Sequence, residues 1–101
     1  MAQVRVAVPR DKIAAFCRRW QITELALFGS VLREDFGPES DVDVLVTFAP
    51  GAPWSLLDLV DMAEELKALF GRDVDLVEES ALRNPFRRRA ILSTKEVVYA
   101  A

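Results

Sequence analysis

Hydrophobic and polar positions along the chain follow two periods, and the switches between them predict the elements. Within residues 10–21, Ile13, Phe16, Cys17 and Trp20 recur at helical spacing. Residues 24–28 form a short apolar run that ends at Gly29, which predicts a strand. Residues 30–34 read as the start of a short helix and Gly37-Pro38 as a turn. A second strand over 42–48 puts Val42, Val44, Val46 and Phe48 on one face. Beyond Pro50, Gly51 and Pro53, Ser55 is a predicted N-cap with Asp58 in the first turn. Leu56, Leu59, Val60, Ala63, Leu66, Leu69 and Phe70 then form the apolar, core-facing stripe of a helix that Gly71 stops. Residues 73–77 predict a third strand, Asn84-Pro85 opens a last helix running to near Leu92, and residues 95–100 predict a final strand. At the start, Val4, Val6 and Val8 alternate up to Pro9, which fits either a short edge strand or a partner-binding arm.

The order helix, strand, strand, helix, strand, helix, strand predicts an α/β fold: a small mixed sheet with helices mainly on one side. No internal repeat, low-complexity tract or linker interrupts residues 1–101, so they are read as one domain. Hydrophobic residues make up 51% of the 101 and charged residues 29%, a globular balance with room for one core. A net charge of −3 argues against strong direct binding of nucleic acid. The chain has no histidine, which excludes imidazole as base or metal ligand. Cys17 stands alone, so no internal disulfide forms, and a reducing, cytoplasmic setting is expected. No signal peptide is recognised in the opening residues, and the apolar runs are too short to cross a bilayer.

One stretch breaks the apolar pattern. In LFGSVLREDFGPESDVDVLV, residues 27–46, the second apolar run opens with Asp41 and Asp43. Residues two apart on a strand share a face, roughly 6–7 Å apart. Two bare carboxylates so placed repel, and one of them should titrate high. A divalent cation relieves the repulsion; the all-oxygen donor set suits magnesium, with manganese a second fit. Gly29-Ser30 supplies a complementary half: a glycine that lets a ligand approach the backbone, a hydroxyl, and free N–H groups if a helix starts there. Together they predict a nucleoside triphosphate bound as its metal complex. Asp75, in RDVDLV, is the candidate third acid that would complete a two-metal site for phosphoryl or nucleotidyl transfer.

The block Gly-Ser, ten residues, Asp-x-Asp, followed by Asp75, resembles the signature of the DNA-polymerase-β-like nucleotidyltransferase superfamily. The short chain resembles its minimal (MNT-domain) members, which pair with HEPN-domain toxins. The resemblance implies that Gly29 and Ser30 hold the triphosphate and that Asp41, Asp43 and Asp75 are catalytic and ligate Mg2+, two ions in all. Arg33 matches a basic residue common in the motif, implying phosphate contact or bracing of the loop. Family members usually have glycine next, where this chain has Glu34, and that departure leaves the detailed loop shape open. For an MNT antitoxin the resemblance further implies AMP transfer from ATP to a hydroxyl, typically a tyrosine, of a cognate HEPN toxin held in a hetero-oligomer.

Other readings compete. A non-catalytic module that neutralises a toxin by occlusion would not need to keep mutually repelling acids. Transfer to a small molecule lacks a second domain to build the pocket. The cluster Arg83, Arg87, Arg88, Arg89 reads as a solvated face or as a surface for a partner, pyrophosphate or RNA. Trp54 reads as locally packed or as a partner contact.

Overall fold

Alternation in one strand decides how the sheet is covered. The computed structural model describes residues 6–33, 36–37 and 39–101. Within these, α1 spans Arg10–Arg19, β1 Ile22–Phe28, β2 Val42–Phe48, α2 Leu56–Phe70, β3 Val74–Glu78, α3 Pro85–Thr94 and β4 Glu96–Ala100. Single 3-10 turns occupy Gly29–Leu32 and Glu79–Ala81. The sheet order is β3-β2-β1-β4. β1 runs antiparallel to β2 and β4, and β3 runs parallel to β2, with α2 as the crossover that parallel strands require.

On β2, Val42, Val44 and Val46 enter the main core with Leu25 and Leu27 of β1, Ile13, Phe16 and Cys17 of α1, and Met62, Leu66 and Phe70 of α2. Leu45 faces the other way. It joins Ala26 and Phe28 of β1, with Leu82 and Ile91, in a smaller cluster under α3. Two helices therefore cover one face and α3 the other, in agreement with the mixed sheet expected. Asp43 precedes Leu45 by two residues and Asp75 precedes Val77 by two, so both acids lie on the α3 face.

The local signals explain most boundaries. Ser55 caps α2 through a reciprocal box with Asp58: its hydroxyl accepts from the Asp58 N–H, and its own N–H donates to Asp58 Oδ2 at 2.9 Å. Gly71 closes α2 in the left-handed region at φ 69°. Asn84 accepts from the N–H groups of Phe86 and Arg87, and Pro85 follows at the first helical position. Trp20 and Trp54 meet edge to face at 4.9 Å, and Trp54 Nε1 donates to the Trp20 carbonyl at 2.6 Å, so Trp54 is locally packed. The Cys17 thiol is fully buried, and burial pushes it up to about 12.

Other expectations are corrected. β1 begins at Ile22, not at 24. The segment 30–34 is a single 3-10 turn that starts at Gly29 and ends at Leu32; Glu34 lies outside the described residues. The α2 stripe is rotated. Met62, absent from the expected stripe, is fully buried, whereas Leu56 is 77% and Val60 53% exposed. Met62, Leu66 and Phe70 at four-residue steps carry the contact, with Leu59 and Leu69 of the expected stripe packed beside them. Val6 and Val8 pack against the main core without strand pairing, and Val4 lies outside the described residues.

Replacing Ser55 by alanine removes one half of the capping box. The loss should cost about 0.5–2 kcal/mol, read from the midpoint of urea unfolding at unchanged slope.

Candidate active site

Three strand ends meet at one edge of the sheet. Gly29 follows the end of β1, and Asp43 and Asp75 are the second residues of β2 and β3. Sheet register makes Phe28 the cross-strand neighbour of Asp43, and Asp43 the parallel neighbour of Asp75. Adjacent strands stand about 4.8 Å apart, so the two carboxylates leave neighbouring backbones on the same face. Gly29 has φ +73°, a conformation side chains rarely adopt, and a Cβ built there would overlap Asp43 Oδ2 and stand 3.3 Å from its Cγ. The glycine is thus required twice, by its backbone and by the carboxylate against it. Ser30 Oγ donates to the Asp41 carbonyl at 3.3 Å, tying the turn after β1 to the loop before β2. A hollow of about 340 Å³ opens beside Gly29, lined by Leu32, Arg33 and Thr94 at the end of α3.

Residues 10–98 match the family model of the nucleotidyltransferase domain. The chain belongs to that family. A protein adenylyltransferase, MntA of Thermococcus cleftensis, is 40% identical over 81 residues, covering 80% of this chain and 77% of the relative. A solved structure described as a minimal nucleotidyltransferase is 33% identical, covers 86% of each chain and superposes with a TM-score of 0.71. An MNT antitoxin in complex with the tri-AMPylated HEPN toxin of Shewanella oneidensis has the same fold, with a TM-score of 0.65, 20% identity and coverage of 91% of this chain and 70% of that one.

The electrostatics of this nucleotidyltransferase centre on Asp43. Burial pushes its carboxyl above the ordinary value, and Asp75 pushes the same way. Hydrogen bonding from the Ser30 backbone N–H pulls it down, Asp41 raises it again and Arg33 lowers it. The repulsion expected from the sequence is therefore present and falls on Asp43. Asp41 and Asp75 are exposed. Among the described residues, no three histidine, cysteine or carboxylate side chains form a closed metal cage. Asp75 is the register neighbour of Asp43, and Asp41 is close enough for its charge to act on Asp43. Their oxygen-only chemistry and shared negative charge fit a hard divalent cation.

The helix start expected at residue 30 is replaced by the one-turn 3-10 segment, too short to present a helix dipole to an anion. What remains there is the Gly29 cradle, the Ser30 hydroxyl and Arg33. Arg33 is exposed, its N–H donates to the Ser30 carbonyl at 2.9 Å, and it borders the hollow beside Gly29. In the arginine cluster, Arg88 is tied to Glu79, through both carboxylate and carbonyl, while Arg83, Arg87 and Arg89 are exposed. Two neighbours of the site were not foreseen. Thr94 carries no motif in the sequence. Arg72 opens the RDVDLV stretch, in which the sequence singles out Asp75 alone.

Folded Asp43 keeps its proton to higher pH than an unfolded aspartate. The stability linked to that proton is complete below the ordinary carboxylate value and is lost as pH rises through the raised one. Asp43→Asn, which cannot ionise and still offers an acceptor to the Ser30 N–H, should therefore melt above the wild type at pH 7 in EDTA. Melting curves across pH should show the gap closing below about pH 4.

Proposed function

We propose that this nucleotidyltransferase moves AMP from ATP onto a hydroxyl, most fittingly a tyrosine, of a cognate HEPN-type toxin and so acts as its antitoxin in the cytoplasm. The observation that carries the reading is the packing of Asp43 against a left-handed Gly29 with Asp75 in register beside it. Kinship with a protein adenylyltransferase and fold likeness to an antitoxin bound to an AMPylated toxin support the donor and the acceptor. Residues 1–101 act as a single catalytic domain in this reading.

In this reading Gly29 admits the triphosphate close to the backbone, and Ser30 and Arg33 orient it. Asp41, Asp43 and Asp75 would hold Mg2+, two ions when fully loaded. The metal supplies charge neutralisation at the triphosphate and lowers the pKa of the attacking hydroxyl. Asp75, exposed at the outermost strand, is open to an incoming acceptor and takes its proton. The acceptor oxygen bonds to the α-phosphorus, the bond from that phosphorus to the bridging oxygen breaks, and pyrophosphate leaves. Among the described residues, no helix is long and apolar enough to cross a membrane.

Occlusion without transfer is the second reading, and the exposed Leu56, Leu57 and Phe86 are open to a partner under either one. Labelled ATP separates the two readings. With Mg2+ the wild type should transfer label to the partner, and Asp43→Ala should lower transfer by at least about a hundredfold. Absence of transfer by the wild type, with equal neutralisation by both proteins, would establish occlusion instead. Gly29→Ala should weaken ATP binding more than it lowers the melting temperature; unchanged affinity would remove Gly29 from the phosphate site.

A further inference from the structure

Arg72, the first residue of the RDVDLV stretch that carries Asp75, lies in the turn between α2 and β3 and reaches the loop that carries Asp41. Its guanidinium stands over the Phe36 ring at 4.3 Å from the centroid. Arg72 Nη1 donates to the Gly37 carbonyl at 2.5 Å and to the Ser40 carbonyl at 3.3 Å. Phe36 itself packs on the main core, so the stack has a fixed base. Ser40 is closed onto Gly37 by two further bonds, from its N–H to the Gly37 carbonyl and from the Gly37 N–H to its hydroxyl, both 3.1 Å. The next residue is Asp41, whose own carbonyl accepts from Ser30 Oγ. The backbone on either side of Asp41 is thereby gripped, by Arg72 before it and by Ser30 after it. One residue past Arg72, the Asp73 carbonyl accepts from the Val42 N–H at 2.9 Å, so the same turn aligns the entries of β2 and β3.

We propose that Arg72 is a positioning residue for the nucleotidyl-transfer site, fixing the loop before β2 so that Asp41 stands beside Asp43 and across from Ser30. This rests on the reading of the acids as metal ligands. The role needs both parts of the guanidinium: a flat face for Phe36 and a donor aimed at the two carbonyls. Lysine has the charge but neither the plane nor the fixed donors. Arg72 touches neither a carboxylate oxygen of the site nor, in this reading, the nucleotide; it acts through the backbone of Asp41. Loss of such outer support typically weakens a metal site by about 10- to 100-fold.

The test measures binding rather than turnover. A fluorescent ATP analogue is titrated at stepped Mg2+ concentrations against wild type, Arg72→Ala, Arg72→Lys and, as a control distant from the loop, Ser55→Ala. In Arg72→Ala the Mg2+ needed for half-maximal nucleotide binding should rise about tenfold, and saturating Mg2+ should restore nucleotide affinity. Arg72→Lys should fall between alanine and wild type, and Ser55→Ala, although less stable, should keep the wild-type Mg2+ dependence. Rescue by the metal separates positioning from general loosening, which Mg2+ would not reverse selectively. Wild-type Mg2+ dependence in Arg72→Ala overturns the proposal. If that variant does not fold, Arg72→Lys decides by the same readout: a shift supports it and no shift overturns it. A wild type that binds nucleotide at no Mg2+ concentration overturns the reading of the site, and this inference with it.

Discussion

The candidate site hangs on one close approach, that of the Asp43 carboxylate to the backbone of Gly29. No side chain fits between them, and the left-handed φ of Gly29 turns the chain away from β1 just where β2 arrives. The contact brings the end of the first strand, which reads as the phosphate side, against the start of the second, which reads as the metal side. Everything else arranges backbone around it. The antiparallel register sets Phe28 opposite Asp43, and the parallel register sets Asp75 alongside. Shifting either pairing by one residue would send the acid concerned to the opposite face, into a core of valines and leucines.

The arrangement works against stability and is held by the rest of the fold. Asp43 is half-buried, with two other acids close enough to oppose its ionisation. Ser30 and Arg33 relieve part of that strain. The remainder is absorbed by a sheet whose two faces are separately packed, one by α1 and α2 and the other by α3. A functional site that retains unfavourable charge is a common place for local rules to be broken.

Much of this was legible because the signals were local. Capping by Ser55 and Asn84, the stop at Gly71 and the alternation in β2 follow from short-range chemistry, and each lies where the pattern puts it. Asp41 was expected to share a strand with Asp43, but β2 begins at Val42, and Asp41 acts on Asp43 from the loop just before it. What failed depended on partners distant in sequence. The α2 stripe differs because Leu56 and Val60 satisfy helical spacing as well as Met62 does, and only the packing of the helix on the sheet decides which face turns inward. The turn after Gly29 was expected to continue as a helix because nothing in its own residues marks Leu32 as the end. Arg72 went unnoticed because its meaning lies in the carbonyls of a loop 32 to 35 positions away.

The parallel pair β2 and β3, with α2 between them, carries Asp41, Asp43 and Asp75 on one continuous segment, whereas Gly29 and Ser30 arrive from β1. The two halves of the site therefore meet only where β1 pairs with β2, inside the sheet. β1 is an inner strand whose side chains enter both cores, Leu25 and Leu27 on one face and Ala26 and Phe28 on the other, so it cannot part from β2 without opening both. The junction of the two halves is therefore as firm as the centre of the sheet itself.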